Sequence, residues 1–182
     1  VPEDKSISDR TMTVPLEVRG IPQGLEIVGR PASTIDITVR GPNRILKDIN
    51  VQEIKAVLDL DKATVYQQEF PLNNSMVYVP SGLSVTSVRP NKVAVKLEKT
   101  REESLRIRPA VRGKAADGYR VAGTEVQPAS VLVRGPESRI KSKDVVSTAP
   151  IDITDLRQTT VFDVDIILPR PELRLLSIFT NV

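Results

Sequence analysis

The same set of motifs occurs twice in this chain, and the duplication restricts the architecture before any secondary structure is assigned. Val-Arg-Gly at 18–20 returns at 111–113, and the strand-like run ending in Arg-Gly-Pro at 37–42 returns at 131–136. The spacing of roughly 93 residues is too long for a solenoid repeat and has the size of a small autonomous domain. We therefore predict a lead-in at 1–11, one domain at 12–100 and a second at 101–182, joined near 99–103.

The second copy stops earlier than the first. The first copy closes with the alternating run 92–98, whereas the second reaches Val182 where that run should begin. We expect a fragment whose second copy lacks its last strand. A chain beginning at Val1 also fits a fragment, and removal of an initiator Met before Val1 is the alternative. Losing three half-buried aliphatic side chains removes about 3 kcal/mol or more of apolar burial and leaves an open strand edge. The second copy should be less stable, or should take a strand from a neighbouring molecule or a C-terminal tail.

The apolar residues point to an all-β fold. Val, Ile and Leu supply most of them, with 3 Phe, 3 Tyr and no Trp, and 14 Pro and 9 Gly interrupt the runs at short intervals. β-branched residues at alternating positions favour strands. We predict crossed antiparallel hairpins with short helical turns near 43–48 and 137–141. In the first copy the predicted strands are 13–18, 25–28, 34–40, 55–59, 65–72, 83–88 and 92–98.

Charge and composition exclude several classes of function. The net charge is +3, from 26 basic and 23 acidic side chains that are mixed along the chain, so no basic patch for nucleic acid is expected. No apolar run reaches the roughly 18–20 residues that cross a bilayer. The chain contains no His and no Cys, which removes imidazole bases, thiolate chemistry and the common zinc sites. We therefore expect no catalytic residue, metal or cofactor.

Carboxylates are the remaining catalytic candidates. Asp59 and Asp61 flank Leu60, and Asp152 and Asp155 occupy the matching place in the second copy. One interpretation is a glycosidase-type acid pair or a site for a hard cation. The other is that Asp59 and Asp152 close turns by accepting backbone N–H bonds. The duplication favours turns, because a catalytic pair seldom occurs twice at one topological position.

The repeated Arg-Gly-Pro is the sharpest local motif. Gly41 and Gly135 would let the chain leave the strand with positive φ, and Pro42 and Pro136 would set φ for the first turn of a short helix. Gly24 and Gly118 mark the turn before the next short strand. A binding interpretation makes Arg40 and Arg134 a stripe for anionic groups; we treat these two as candidate interaction residues.

The order of these motifs resembles the YbbR-like family. It runs from a strand through Arg-Gly-Pro, a helical turn and hydrophobic-Asp-Leu to Gly-Leu-x-Val and Pro-x-x-Val-x-Val-x-Leu-Glu. Residues 12–98 resemble one complete repeat, and residues from about 104 to 182 resemble a second without its last strand. The resemblance implies a fold similar to the C-terminal domain of L25-type ribosomal proteins.

The resemblance also implies a role and a location. YbbR-like proteins typically have one N-terminal membrane helix followed by several such domains outside the cytoplasm. Members similar to the CdaR regulator bind the membrane diadenylate cyclase that makes cyclic di-AMP. The expectation is therefore a non-catalytic, membrane-anchored extracytoplasmic module that regulates or scaffolds a protein partner, such as that cyclase.

A different class of function stays open at this point, which is binding of cell-wall glycan or an anionic envelope polymer. It draws on the repeated arginines and the small basic excess. Tyr66, Tyr78 and Tyr119 are the available sugar-stacking platforms, although a packing role at the ends of the sheets is the expectation for them.

Overall fold

The computed structural model describes residues 6–176 and separates the chain into two compact units between Glu98 and Lys99. This division lies inside a strand, Lys96–Arg108, and not in a loop. Residues 100–106 of that strand pair antiparallel with a later strand of the second unit. The charged run at 99–103, which resembles a connector in the sequence, is therefore strand. Its side chains alternate between the two faces of the sheet, so the outward positions accept charge.

The first unit is built from short strands with three single helical turns. Its strands are β1 Ile7–Arg19, β2 Leu25–Val28, β3 Thr34–Pro42, β4 Lys55–Asp59, β5 Glu69–Pro71, β6 Val77–Tyr78, β7 Ser84–Arg89, β8 Lys92–Ala94 and the start of β9 Lys96–Arg108. The turns are α1 Asn43–Leu46 and two 3-10 turns, Val51–Glu53 and Asn74–Met76.

The main sheet of the first unit has the strand order β6-β4-β1-β3-β7. β1 pairs antiparallel with β3 and parallel with β4. Alternation buries Val14 of β1 and Ile37 and Val39 of β3 completely, while the residues between them face outward. The parallel pair is not a hairpin, so local turn patterns in the sequence do not predict it.

Two further pairings close the first unit. β5 pairs with β8, and β2 pairs with β9. Val93, Val95 and Leu97 on this closing segment are 4%, 1% and 2% exposed. The last strand of the module therefore supplies a substantial part of its core.

The second unit repeats the central arrangement. After β9 its strands are β10 Val111–Arg112, β11 Ser130–Pro136, β12 Val145–Thr148, β13 Ile151–Asp152, β14 Ile166–Ile167 and β15 Arg174–Leu175, with a 3-10 turn at Glu137–Arg139. The strand order β14-β12-β9-β11-β15 matches that of the first unit. β9 pairs antiparallel with β11 and parallel with β12, as β1 does with β3 and β4.

The all-β class with two small domains is confirmed, with 46% strand and 8% helix. Several predicted bounds are wrong. β1 begins at Ile7, inside the predicted lead-in, because its polar half pairs with β3 as far as Pro42. The predicted strand 65–72 shrinks to Glu69–Pro71, and the predicted strand 92–98 divides into β8 and β9. The predicted end of the second copy at 177–182 and the first five residues lie outside the described residues.

Candidate interaction surface

Arg40, a predicted interaction residue, lies on the outward face of the first main sheet. It sits on β3 directly opposite Asp9 of β1. The Arg40 Nη1 and the Asp9 Oδ1 are 3.8 Å apart, and both side chains are more than half exposed. The guanidinium is therefore part of an open cross-strand ion pair.

Arg134 has the same position in the second unit. It sits on β11 opposite Glu102 of β9. The Arg134 Nε donates to the Glu102 Oε1 at 3.0 Å, and the Arg134 Nη2 donates to the same oxygen. The ion pair is thus repeated at one topological place, and it is tighter in the second unit.

The remaining outward residues near Arg40 are small and polar. The hydroxyls of Thr11 and Thr38 are 3.0 Å apart, and the Thr13 hydroxyl donates to the Asp36 Oδ1 at 2.6 Å. In the second unit, the Ser104 hydroxyl donates to the Ser130 hydroxyl at 3.3 Å, although Ser104 lies opposite Leu132 and Ser130 lies opposite Arg106. We call these outward surfaces the polar sheet faces; they consist of Asp9, Thr11, Thr13, Asp36, Thr38 and Arg40, and of Glu102, Ser104, Arg106, Ser130, Leu132 and Arg134.

The polar sheet face of the first unit is charge-compensated, whereas that of the second is more basic because it also carries Arg106 and, on the next strand, Arg174. A carboxylate opposite each of Arg40 and Arg134 competes with any anionic ligand for the guanidinium, and exposed pairs of this kind contribute at most about 1 kcal/mol to stability. The next strand differs between the units: Ser84 lies beside Arg40, whereas Arg174 lies beside Arg134. The two faces share the cross-strand ion pair and differ in charge at three positions, since Thr13, Asp36 and Ser84 of the first correspond to Arg106, Ser130 and Arg174 of the second.

Gly41 and Gly135 differ from the prediction. Both stay within their strands, and neither is among the glycines with positive φ. A Cβ on Gly41 would overlap the Leu83 side chain, and a Cβ on Gly135 would overlap that of Leu173. Close approach of a leucine, and not backbone freedom, is what requires glycine at these two positions.

The prolines of the motif directly precede the helical turns, which begin at 43 and 137 as predicted. Pro42 has φ −61° and ψ 137°, which is extended backbone, and the helical turn begins at Asn43. Pro136 has φ −64° and ψ 142° and precedes the 3-10 turn that begins at Glu137. Each proline ends a strand and leads into the turn without being part of it.

Gly24 and Gly118 have positive φ, 82° and 84°, and a Cβ at either position would meet no atom within 4 Å. Each sits in a turn, which the Leu25 N–H closes onto the Pro22 carbonyl at 3.1 Å and the Tyr119 N–H closes onto the Ala116 carbonyl at 2.9 Å. Here the backbone conformation alone favours glycine.

Asp59 and Asp152 accept hydrogen bonds within the turns that follow β4 and β13. The Asp61 N–H donates to the Asp59 Oδ1 at 3.0 Å, and the Thr154 N–H donates to the Asp152 Oδ1 at 2.9 Å. The Thr154 hydroxyl is the main cause that lowers the pKa of Asp152, with the backbone bond second. Both carboxylates therefore act as hydrogen-bond acceptors that stabilise the turns.

Two glycines that the sequence interpretation left without a role lie against these carboxylates. A Cβ on Gly20 would overlap the Asp59 carboxylate, and a Cβ on Gly113 would overlap the Thr154 hydroxyl. The repeated Val-Arg-Gly motif is the signal that could have identified them. Between residues 6 and 176, no group of three or more metal-binding side chains occurs.

The sequence analysis did not predict a cluster of charged residues around Arg170. Arg170 donates through Nη1 to the Asp144 Oδ2 at 2.6 Å and to the Arg139 carbonyl at 2.9 Å. Its Nη2 also bonds the Asp144 Oδ1, at 3.2 Å. The hydrogen bond from Arg170 holds the pKa of Asp144 below its usual value. No sequence signal could have paired residues that lie this far apart outside the repeated motifs.

The three tyrosines do not fill the packing role expected for them. Tyr66, Tyr78 and Tyr119 are 91%, 59% and 56% exposed. Tyr66 and Tyr78 belong to the first unit and Tyr119 to the second. Their rings are available at the surface for contacts with another molecule.

Comparison with known proteins agrees with this architecture. The family model for YbbR-like proteins matches residues 14–97 and again residues 105–181. A crystal structure of a YbbR-like protein from Streptococcus pneumoniae TIGR4 matches with a TM-score of 0.50 and 19% identity, over 97% of this chain and 90% of that one. This likeness concerns the fold. A search of curated proteins found no match.

A helix long and apolar enough to cross a membrane does not occur within the described part of the chain. Two units whose main sheets have the same strand order are each matched by the family model. The chain therefore belongs to the YbbR-like family and consists of tandem YbbR-like domains.

Proposed function

We propose that this chain is a non-catalytic regulatory or scaffolding module that acts outside the cytoplasm through protein–protein contacts. The observation that carries the proposal is the polar sheet face, which presents the same cross-strand ion pair in both domains. A sheet face with both signs of charge suits a complementary protein surface, since a protein can offer a partner to each sign.

The chemistry of the side chains supports a non-catalytic role. The chain has no His and no Cys, and Asp59 and Asp152 are bound within turns. Duplication of these aspartates at one topological position is explained by the turn and needs no reaction. Among the repeated residues, the aspartates are thus explained by turns, and Arg40 and Arg134 remain as candidates for a binding role.

The candidate partner is a membrane diadenylate cyclase, and the candidate location is the outer side of the membrane with a single-pass anchor. Both come from what the YbbR-like resemblance implies. Membership in the YbbR-like family is the finding that supports the proposed partner and the proposed location.

The experiment is co-purification of the chain with a membrane diadenylate cyclase. The Arg40→Glu and Arg134→Glu double variant should weaken binding by about tenfold or more, because like charges then meet across the interface. Arg30→Glu, another exposed arginine of the first domain, is the matched control and should leave binding unchanged.

Charge-swap variants separate recognition from domain stability. Exchanging Asp9 with Arg40, and Glu102 with Arg134, keeps each internal pair but reverses the pattern that a partner meets. Binding should be lost while the melting temperature stays near that of the original chain. If the original chain does not bind the cyclase, the proposal that the cyclase is the partner is wrong. If all charge variants bind normally, the proposal that the polar sheet faces form the binding surface is wrong.

A second candidate function is binding of cell-wall glycan or an anionic envelope polymer. It is favoured by the exposure of Tyr66 and Tyr119, whose rings could stack on sugars. Retention on purified peptidoglycan at moderate salt, reduced by Tyr66→Ala and Tyr119→Ala, would support it. Absence of retention would dismiss it.

A further inference from the structure

The polar sheet face of the second domain continues into two further arginines. Arg174 of β15 lies opposite Arg134 of β11. Arg108 follows Arg106 by two residues on β9, so both side chains lie on the same side of the sheet. We call the polar sheet face of the second domain, together with Arg108 and Arg174, the basic sheet face. It combines four arginines with one carboxylate, that of Glu102.

Two of these arginines have no carboxylate partner within the described part of the chain. Arg134 is paired with Glu102. Arg106 and Arg108 are both exposed, and neither takes part in an ion pair with another described residue. Their guanidinium groups are therefore open to an anion from another molecule.

The excess of arginine is not needed to build the sheet. The first domain has the same strand order, with Thr13 at the place of Arg106 and Ser84 at the place of Arg174. Asp36, opposite Thr13, adds a carboxylate to the first face. Because an equivalent sheet forms without this positive charge, folding does not explain the arginines, and recognition does.

Aliphatic side chains lie among the arginines. Leu132 of β11 lies opposite Ser104 on the basic sheet face and is 40% exposed. Ile167 of β14 lies opposite Ser147, which lies opposite Arg108, so it borders the same face, and it is 53% exposed. The surface is thus both cationic and apolar.

This combination distinguishes between anionic partners. A guanidinium is a planar fork that matches a carboxylate or a phosphate. A phosphate polymer offers nothing apolar to Leu132 and Ile167. In a membrane, these side chains are shorter than the arginines and would not pass the headgroup layer while the arginines bind it. A polypeptide supplies carboxylates and aliphatic groups together.

We propose that the basic sheet face binds an acidic protein segment in which carboxylates alternate with aliphatic side chains. Arg106 and Arg108 are separated along β9 by about 6–7 Å, which is twice the rise per residue of a strand. Carboxylates at alternate residues of an extended segment have the same spacing. The inference rests on the proposed function, protein binding through the sheet faces, and assigns the chemistry of the partner to the second domain.

The test measures binding of a labelled synthetic peptide of alternating Glu and Val to the full chain by fluorescence anisotropy. The double variant Arg106→Thr, Arg174→Ser carries the residues of the first domain and should bind at least about tenfold more weakly, since charge complementarity is lost. Arg157→Thr, at an exposed arginine outside the sheet, is the matched control and should bind like the original chain. The affinity should fall as salt is added.

A second pair of measurements tests the apolar contact. Leu132→Thr, again the residue of the first domain, should weaken binding of the Glu-Val peptide by about threefold or more, because less apolar surface is buried. The same variant should leave binding of an alternating Glu-Ser peptide unchanged. A general loss of structure would weaken both peptides alike and would overturn the contact with Leu132.

The other outcomes are distinct. If Arg106→Thr, Arg174→Ser binds the Glu-Val peptide as the original chain does, or if the original chain does not bind it at low salt, the acidic partner is wrong. The proposed function would still stand where the Arg40 and Arg134 charge variants lose their protein partner. Tighter binding to phosphatidylglycerol vesicles or to polyphosphate than to the peptide would replace the protein segment by a lipid or a polymer.

Discussion

The two domains share their motifs and strand register but differ in how much core they build. In the first domain, one cluster of buried apolar residues extends from Met12 through Phe70 to Leu97. The cluster in the second domain, among the residues that the structure describes, is less than half as large and is centred on Leu105 and Val133. The central sheets have equivalent strand orders, but the region around β5, β8 and the start of β9 accounts for only part of the difference, through Phe70, Leu72, Val93, Val95 and Leu97. The rest comes from the main sheet and its turns, which bury more apolar residues in the first domain.

This difference distinguishes the residues that organise the central sheet from those that close the domain. Arg-Gly-Pro, Val-Arg-Gly and the Asp turn organise the central sheet, and they occur in both copies. Closure of the domain depends on the run 92–98, which occurs once. The same motifs can therefore border apolar cores of different extent.

The largest expected effect is at the closing strand of the first domain. Leu97→Ala should destabilise this domain by about 2–4 kcal/mol, because Leu97 is almost fully buried and the strand cannot collapse freely around a cavity. Denaturant unfolding combined with hydrogen exchange at 25–28 measures it. Leu132→Ala, at a half-exposed strand position of the second domain, is the control. A change below about 1 kcal/mol at Leu97 would show that the closing strand is not essential to the core.

The next effect compares the two motif glycines. Gly41→Ala should cost about 1–3 kcal/mol, since its Cβ would overlap Leu83 and lie 3.0 Å from the Gly82 carbonyl oxygen. Gly135→Ala should cost less, because its nearest neighbour is the mobile end of Leu173. Thermal unfolding of each variant measures the difference, with Gly123→Ala, whose Cβ would meet no atom within 4 Å, as the control. Equal stability of all three variants would contradict the close-approach explanation.

The third prediction concerns the ion pair of the second domain. Asp144→Asn should lower the melting temperature of this domain by a few degrees at neutral pH. The folded-state pKa of Asp144 is lowered by Arg170, so its contribution is present above the unfolded pKa of about 3.9 and disappears as pH falls through the lower folded value. Melting curves between neutral and strongly acidic pH measure this. The exposed Asp163→Asn is the control, and a pH-independent difference for Asp144→Asn would argue against the pair.

The smallest effect is at the polar sheet faces. Double-mutant cycles for Arg40 with Asp9 and for Arg134 with Glu102 should each give a coupling energy below about 1 kcal/mol, because both pairs are exposed. The Arg134 pair should couple more strongly, since two of its nitrogens contact one carboxylate oxygen. Larger coupling for Arg40 would contradict the difference in geometry.

Much of the fold could be predicted from local patterns. Alternating aliphatic residues identified β2, β3 and β4 to within about two residues, since period-two burial leaves a direct trace in sequence. The bounds of β1 could not be predicted, because residues 7–11 are polar and become strand only by pairing with β3. The parallel partner of β1 was equally hidden, as no turn in the sequence joins the two strands.

The candidate site could likewise be predicted only in part from the sequence. The repetition of Arg40 and Arg134 was visible in the sequence, but their carboxylate partners were not, because cross-strand register decides which residues meet. Gly41 was recognised as important for a wrong reason. Its neighbour Leu83 lies just before β7 and is distant in sequence, so only packing shows why a side chain is excluded.

By itself, the sequence determined that this protein is a tandem of two all-β modules and that His and Cys chemistry is absent, since repetition, alternation and composition are local properties. The tertiary structure decided which residues oppose one another, why the motif glycines have no side chain, and how far each core extends. These depend on register and on contacts between segments far apart in the chain, for which a linear pattern holds no distance information.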